Sequence, residues 1–411
     1  MEYIHSKDIF YLLRDMLKLF DRRPIVHGGK VAYYVYKMLE LEGQLEDFEL
    51  ADVVFLMTFH DIGAYKTEDM EQMIKFETKD FRAHSLYGQL FLHYLAPLDE
   101  DFAKVITYHH MNHKTFSELR IPNSELVSYL HLAEAIDIYK GSLGEKFSLD
   151  IFKKNLGTKF SHEAFDLFCK ANQEYHLFEQ INSGAYKQEV DELMNFFIMT
   201  NKDKEKALQL LMFTLSLKSG IMINRSAICV ALCEKLGTLM RLNDTQWKNL
   251  VYAAYVHDIG YLAFQKSWIE NPEKLSAANM EKFAQHTLLM EQLLKNRIKR
   301  EVVVIAATHH ERADGQGYPR RLAEKQMSIS QLILQFSDTI ADMMVTPVNQ
   351  DKVIEKVRLK TNAGWFSTAV TKAFIDNIND ITEYAETRSA EILQNLNELD
   401  KQYDKIKEAN G

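Results

Sequence analysis

The chain has 411 residues, of which 46% are hydrophobic and only 16 are glycine and 6 are proline, and its formal net charge is −9. This length suits two or three packed domains, and the negative charge argues against a general nucleic-acid binder. Apolar residues recur mostly at three- and four-residue spacing, which predicts an all-α protein. Three cysteines without a CxxC pair indicate reduced thiols and a cytoplasmic protein.

The amino-terminal segment, MEYIHSKDIFYLLRDMLKLFDRR, carries acids inside its apolar stretch and lacks a small-residue cleavage site. It is therefore not expected to be a signal peptide. No apolar run reaches the length of about 18 residues that a membrane span needs, so no membrane association is expected.

An internal repeat organises the rest of the chain. FLMTFHDIGAY at 55–65 and VYAAYVHDIGYLAF at 251–264 each run an apolar helix into His-Asp-Ile-Gly. An isolated histidine and then two adjacent histidines follow each copy, at intervals of 24 and 25 residues (60 to 84 to 109) and of 29 and 23 residues (257 to 286 to 309). The repeated residues are His60, Asp61, His84, His109 and His110, and then His257, Asp258, His286, His309 and His310.

The repeat predicts two tandem helical bundles. We place the first domain at 1–140, a helical linker at 141–200 and the second domain at 201–411, with the charged stretch NKDKEKA beginning at Asn201 as the boundary. The end of the chain, from TEYAETRSAEIL onward, is typical of one long amphipathic helix. This terminal helix could pack across the two domains or pair with a second chain.

Histidines and aspartates at these intervals suit metal coordination. Neutral imidazoles and carboxylates bind borderline first-row metals such as Fe, Mn or Zn, and a carboxylate can bridge two ions. A bridged pair of ions activates water and clamps both oxygens of an in-line phosphoryl displacement. An ordinary core or surface role is preferred for the other histidines considered, which are His5, His93, His113, His131, His162 and His176.

Both halves resemble the HD superfamily of metal-dependent phosphohydrolases, over about 220–345 and, less closely, 23–140. The stretch THHERADGQGYPRR at 308–321 resembles the HD-GYP branch, whose characterised members hydrolyse cyclic dinucleotides such as cyclic di-GMP. The resemblance implies HD-type bundles with two divalent metal ions per active site. Fe or Mn are the first candidates for these ions, and Zn, Ni or Mg are the alternatives.

The resemblance also implies ligands outside the repeated residues. The family's first-helix histidine lies about 33 residues before the His-Asp pair, and this position is His27 in the first copy and Asn224, a poorer ligand, in the second. The closing aspartate corresponds to Asp338 and, in the first copy, to Glu134, with Asp137 as the alternative. The aspartates of the two His-Asp pairs, Asp61 and Asp258, would bridge the ions and help to deprotonate the attacking water.

Two departures from the family concern substrate binding. The lysine that usually follows His-Asp-Ile-Gly is Ala64 in one copy and Tyr261 in the other, and the first copy lacks the GYP loop. Basic residues of that loop, Lys325 included, could replace the lysine or could merely keep the loop soluble. The tyrosine of the loop could stack on a base or pack the loop. The candidate substrate-binding residues are Arg312, Asp314, Gly317, Tyr318, Arg320 and Arg321.

The leading prediction is a bacterial, metal-dependent phosphodiesterase that hydrolyses a cyclic dinucleotide, with cyclic di-GMP as the first candidate. One alternative is a degenerate protein that binds a nucleotide or a signalling partner without turnover. A second is a phosphohydrolase that acts on another nucleotide from the first copy. Candidate partners are the cyclic dinucleotide, a diguanylate cyclase or other signalling protein, and a second copy of the chain. Long nucleic acid is not expected.

Overall fold

The computed structural model describes residues 3–67, 82–96, 98–119, 121–345 and 349–410. These residues form α-helices and short 3₁₀-helices, and the β-structure in this part of the chain is confined to isolated bridges. The prediction of an all-α protein is therefore confirmed. No helix within these ranges is both long enough and apolar enough to cross a membrane.

The chain divides into two compact units. The first unit comprises Asp21–Asp203 with Leu399–Gly411, and the second comprises Met1–Phe20 with Lys204–Glu398. This division differs from the predicted one, because helix α1 (Ser6–Phe20) belongs to the second unit and the predicted linker to the first. Helix α1 buries one apolar face against the segments 259–263 and 286–294 of its own unit.

Helix α2 (Arg22–Glu42) is central to the first unit and packs against α3 (Asp47–Thr58), which leads into the His-Asp pair, and α8 (Ser124–Leu143), which carries Glu134. Asp21 caps the start of α2, because its side chain accepts a hydrogen bond from the Arg23 N–H. Gly43 ends the helix with a φ of 67°, which lies in the left-handed region that glycine favours. The helices of this unit are α2 (Arg22–Glu42), α3 (Asp47–Thr58), α4 (Ala64–Thr67), α5 (Arg82–Leu95), α6 (Glu100–Thr107), α7 (His113–Glu118), α8 (Ser124–Leu143), α9 (Asp150–Lys153), α10 (His162–Tyr175), α11 (Leu177–Ser183) and α12 (Tyr186–Leu193).

The second unit repeats this arrangement, with α14 (Gly220–Leu239) packed against α15 (Asp244–Val256) and α20 (Ile329–Met344). Ser328 and Gln331 form a capping box at the start of α20, so the direction of this helix is set by its own sequence. The helices from Asn201 onward are α13 (Asn201–Phe213), α14 (Gly220–Leu239), α15 (Asp244–Val256), α16 (Lys266–Glu270), α17 (Ala277–Phe283), α18 (His286–Leu294), α19 (Arg300–Ala306), α20 (Ile329–Met344), α21 (Gln350–Asn362), α22 (Thr368–Asp376) and α23 (Ile378–Asn410).

Each His-Asp pair lies just beyond the end of a helix, α3 or α15, and the glycine of His-Asp-Ile-Gly lets another helix come close. A Cβ atom on Gly63 would lie 2.0 Å from the carbonyl oxygen of His84, and one on Gly260 would lie 2.0 Å from that of His286. Glycine is therefore required here because the backbone that carries the isolated histidine passes directly against the His-Asp turn.

We predict that Gly63→Ala destabilises the first unit by about 1–3 kcal/mol, because the added methyl group forces apart two backbone segments. Gly29→Ala is the matched control, since a Cβ there has no neighbour within 4 Å. The control should be neutral or stabilising by up to about 1 kcal/mol. Denaturant unfolding followed by circular dichroism measures both, and equal stabilities of Gly63→Ala and wild type would refute the close-approach explanation.

Candidate metal centres

The first unit brings all of its predicted metal ligands to one place. Two groups of side chains present ligand atoms that lie within 4.8 Å of one another, and the Asp61 carboxylate belongs to both groups. A carboxylate shared between two ligand groups is suited to bridging two ions. The first group is His27, His60 and Asp61, and the second is Asp61, His84, His109 and His110.

Hydrogen bonds to backbone carbonyls fix which nitrogen of the rings faces the site. The Nδ1 atom of His60 lies 2.7 Å from the carbonyl oxygen of Met57, and Nδ1 of His109 contacts the carbonyl of Ile106 in the same way. A carbonyl oxygen can only accept, so Nδ1 must donate in both rings. The Nε2 atom of each ring therefore keeps the lone pair that a metal ion needs.

Four polar atoms of this site are buried without a hydrogen-bond partner among the described residues. They are Nε2 of His27, His60 and His109 and Oδ1 of Asp61. Leaving a buried polar atom unpaired costs roughly 1–3 kcal/mol, so four of them in one place indicate a missing interaction. Nitrogen lone pairs and a carboxylate oxygen together match the donors that a divalent transition metal prefers.

The distances around Asp61 agree with this assignment. Its Oδ1 atom lies 3.5 Å from Nε2 of His84 and 3.6 Å from Nε2 of His109, and its Oδ2 atom lies 3.4 Å from Nε2 of His60. These distances are too long for good hydrogen bonds. They are close to the separation of about 3 to 3.5 Å between two ligands of one ion whose metal bonds are about 2.1 Å long.

The closing acids of the first unit have separate tasks. Glu134 faces the site, with Oε1 3.4 Å from Nδ1 of His110, and burial together with the Asp61 carboxylate raises the pKa of Glu134 well above its ordinary value. Asp137 instead holds the His27 ring, with 2.7 Å between Oδ2 and Nδ1, and its other oxygen contacts Lys30. Glu134 is thus the acid positioned to offer an oxygen ligand.

The second unit repeats the histidine geometry. The predicted ligands His257, His286 and His309 each direct Nδ1 to the carbonyl oxygen three residues earlier, at 2.8, 2.8 and 2.7 Å, so that Nε2 points into the site. His309 Nε2 lies 3.7 Å from Asp258 Oδ1, and His310 Nδ1 lies 3.7 Å from Asp338 Oδ2. The predicted ligands of this copy are therefore also close together, although their partners differ from those of the first unit.

Asn224 does not occupy the place of the first-helix histidine, and that prediction is wrong. Its side chain is exposed, whereas Arg225 turns into the site. Helix α14 buries Met222 and Cys229. Arg225 lies three residues after Met222 and four residues before Cys229, so it is on the same buried face of the helix. Counting back 33 residues from the His-Asp pair therefore misses the inward position by one residue.

Arg225 makes ion pairs with three acids. Its Nη2 atom lies 2.7 Å from Asp338 Oδ1 and 3.3 Å from Asp258 Oδ2, and its Nε atom lies 3.1 Å from Asp342 Oδ1. Burial by itself would lower the pKa of His257, but the Asp258 and Asp338 carboxylates outweigh burial and raise this pKa to about 10. The corresponding His60 behaves differently, since burial lowers its pKa to about 4 against the opposing Asp61 carboxylate.

Tyr261 fills the position of the family's lysine. Its ring stacks on that of His286 with centroids 3.8 Å apart, and its hydroxyl group lies 3.3 Å from Nε2 of His310. The described ligand groups of this unit are His286 with His309 and His310, and Cys229 with His257 and Asp338. Asp258 belongs to neither group, so the arrangement described here lacks the shared carboxylate that Asp61 provides in the first unit.

The GYP loop depends on a residue that the sequence analysis did not single out. Glu311 is fully buried, and its two carboxylate oxygens accept hydrogen bonds from the backbone N–H groups of Arg320 and Leu322, at 2.6 and 2.8 Å. A Cβ atom on Gly317 would lie 2.4 Å from the Arg312 backbone nitrogen, so the loop closes tightly over this acid. An acid directly after two histidines carries no distinctive sequence signal.

Several candidate substrate residues of this loop already have partners. Arg312 is paired with Asp314 and lies over the Trp365 ring, with its Cζ atom 4.2 Å from the ring centroid. Arg320 is paired with Glu291, whereas Arg321 is exposed. The Tyr318 ring packs 4.7 Å from that of His310, between ring centroids. The side chains of Arg312, Tyr318 and Arg320 are thus held by contacts within the second unit.

Comparison with known proteins places part of the chain in a family. Residues 209–353 match the family model described as "HD domain". A 3'3'-cGAMP-specific phosphodiesterase of Vibrio cholerae is 23% identical over 367 residues, which cover 82% of each chain. A cyclic di-GMP phosphodiesterase of Thermotoga maritima is 31% identical over 160 residues, or 37% of this chain and 43% of that protein.

A solved structure supports the fold. The crystal structure of a cyclic GMP-AMP specific phosphodiesterase of V. cholerae aligns with a TM-score of 0.58 and 14% identity, over 92% of this chain and 98% of that one. At this identity the likeness concerns the fold. Residues 209–353 therefore match an HD domain, and, with the related phosphodiesterases, the protein is a metal-dependent phosphohydrolase.

We predict that Glu311→Ala destabilises the second unit by about 1–3 kcal/mol, because two N–H groups of the GYP loop lose their acceptor. Glu311→Gln keeps one acceptor oxygen and should lose less. Thermal unfolding of the full chain measures the difference. Equal stabilities of the alanine variant and the wild type would show that the loop does not need this carboxylate.

Proposed function

We propose that the protein hydrolyses a phosphodiester bond of a cyclic dinucleotide and that the first unit holds the metal ions for this reaction. The observation that carries the proposal is the pair of ligand groups that share Asp61. A bridged pair of divalent ions would activate water and stabilise the charge that develops on phosphate oxygens. The residues that would hold the ions are His27, His60, Asp61, His84, His109, His110 and Glu134.

In this proposal the histidines of the first unit are neutral ligands whose orientation is set before an ion binds. The His60 and His109 rings are oriented by backbone carbonyls and the His27 ring by Asp137. Asp61 would hold the ions together with these histidines, and its carboxylate would orient the attacking water. Because ring direction is fixed by hydrogen bonds to the protein, little reorganisation is needed when a metal binds.

Lys30 is a candidate for the missing phosphate contact of the first unit. Ala64 stands where the family has its lysine, but Lys30 follows His27 by one helical turn and lies 3.2 Å from Asp137 Oδ1. Its ammonium group therefore lies beside the ligand residues and could neutralise a phosphate oxygen.

The class of substrate is supported by the relatives, which include phosphodiesterases named for 3'3'-cGAMP and for cyclic di-GMP. A hydrolysis panel should therefore include both dinucleotides, with Mn²⁺ or Fe²⁺ supplied. Mononucleotides belong in the same panel as a test of the alternative substrate class. The ligand groups that share Asp61 lie in the first unit, whereas the GYP loop, which indicates a cyclic dinucleotide, lies in the second. The cytoplasmic location, the bacterial origin, the signalling partners and the homodimer stay predictions.

We predict that His60→Ala lowers the rate of dinucleotide hydrolysis by at least about 100-fold. The substitution removes a metal ligand whose ring is already oriented towards the site that contains Asp61. His257→Ala should stay within a few-fold of wild type. His93→Ala is a control for histidine removal, since His93 belongs to neither ligand group of its unit. Initial rates for the four proteins, at matched metal content of the buffer, measure these effects.

Loss of hydrolysis in His257→Ala with full activity in His60→Ala would place the reaction in the second unit and contradict the proposal. Tight dinucleotide binding by a metal-loaded wild type that releases no product would favour the alternative of a binding protein without turnover.

A further inference from the structure

We propose that the guanidinium group of Arg225 is the resident cation of the second site, so that this unit neutralises its buried carboxylates by ion pairing and holds no bridged pair of ions. The proposal concerns the metal content of one unit. It does not depend on which substrate the protein hydrolyses.

One nitrogen atom of Arg225 contacts both carboxylates that an ion of this site would need. Its Nη2 atom contacts Asp338 Oδ1 at 2.7 Å and Asp258 Oδ2 at 3.3 Å. The same two oxygens face His257 Nε2 at 3.4 and 3.2 Å. The guanidinium group therefore already pairs with both carboxylate oxygens that would join His257 in holding an ion.

The charges of the site are consistent with this role. The side chains of Asp258 and Asp338 are buried, with 1% and 2% exposure of the whole residues. Buried carboxylates are strongly destabilising unless a positive charge is paired with them. Arginine stays protonated under all ordinary conditions, so it supplies that charge permanently.

Comparison with the first unit shows what an arginine in place of a histidine changes. His27 on α2 is held by Asp137 of α8, and Arg225 on α14 is held by Asp342 of α20, so the two side chains occupy corresponding places. A neutral imidazole keeps an acceptor nitrogen for an ion, whereas a guanidinium group has donors only. The change therefore replaces a ligand with a cation.

The other half of the second site contains a contact that the first unit lacks. The Tyr261 hydroxyl group lies 3.3 Å from Nε2 of His310 and can donate a hydrogen bond to it. At the corresponding position of the first unit, Ala64 has no hydroxyl group that could do this.

The first test is the Mn²⁺ content of the full chain after equilibrium dialysis, measured by elemental analysis for wild type, Asp61→Asn and Asp258→Asn. We expect about two ions in wild type, loss of most of them in Asp61→Asn and no loss in Asp258→Asn. Loss of ions in Asp258→Asn, or two ions kept in Asp61→Asn, would overturn the inference. A wild type without bound ions would agree with this inference and would instead count against the proposed function.

The second test uses Arg225→Ala and Arg225→His, with Lys235→His as the control. Lys235 lies on the same helix and forms an exposed ion pair with Asp380 at 2.8 Å. In metal-free protein, Arg225→Ala should lower the Tm by roughly 10 °C, because two buried carboxylates lose their cation. Added Mn²⁺ should recover much of this loss.

Arg225→His should bind about one more Mn²⁺ ion per chain than wild type, since it supplies a ligand and vacates the space of the guanidinium group. Lys235→His should show neither the loss of Tm nor the gain of an ion. The inference is overturned if Arg225→Ala melts with wild type, or if Arg225→His binds no additional Mn²⁺.

Discussion

The hydrogen bond from a histidine Nδ1 to the carbonyl three residues earlier is the interaction on which both sites depend. It occurs at His60 and His109 in the first unit and at His257 and His309 in the second. The carbonyls near a helix end lack intrahelical donors, so a ring at this position can satisfy one of them. The same bond directs Nε2 away from the helix and into the site.

The close approach of the isolated histidine's helix follows from the same constraint. Gly63 and Gly260 allow the backbone of His84 and of His286 to pass directly against the His-Asp turn. The histidine rings can therefore converge although they come from different helices. A helical bundle can in this way assemble ligands that are about 25 residues apart in sequence.

The two units use this common scaffold with different electrostatics. In the first, histidines surround the Asp61 carboxylate, and burial lowers the pKa of His60 to about 4. In the second, Arg225 introduces a permanent positive charge between Asp258 and Asp338. The GYP loop, held by Glu311, belongs to the unit with the arginine. The family motif and the more complete ligand set therefore lie in different halves of the chain.

The sequence by itself determined the helical class, the repeat and the types of residue in both sites, because helical periodicity and the order of His and Asp are properties of the chain alone. Only the tertiary structure decided that Arg225 faces the second site in place of Asn224, and that Glu134 faces the first site while Asp137 holds His27. The physical reason is that successive residues of a helix point about 100° apart, so an error of one residue in a count of 33 selects a different face. The division into units was also decided by packing, since α1 buries its apolar face against segments more than 230 residues away in sequence.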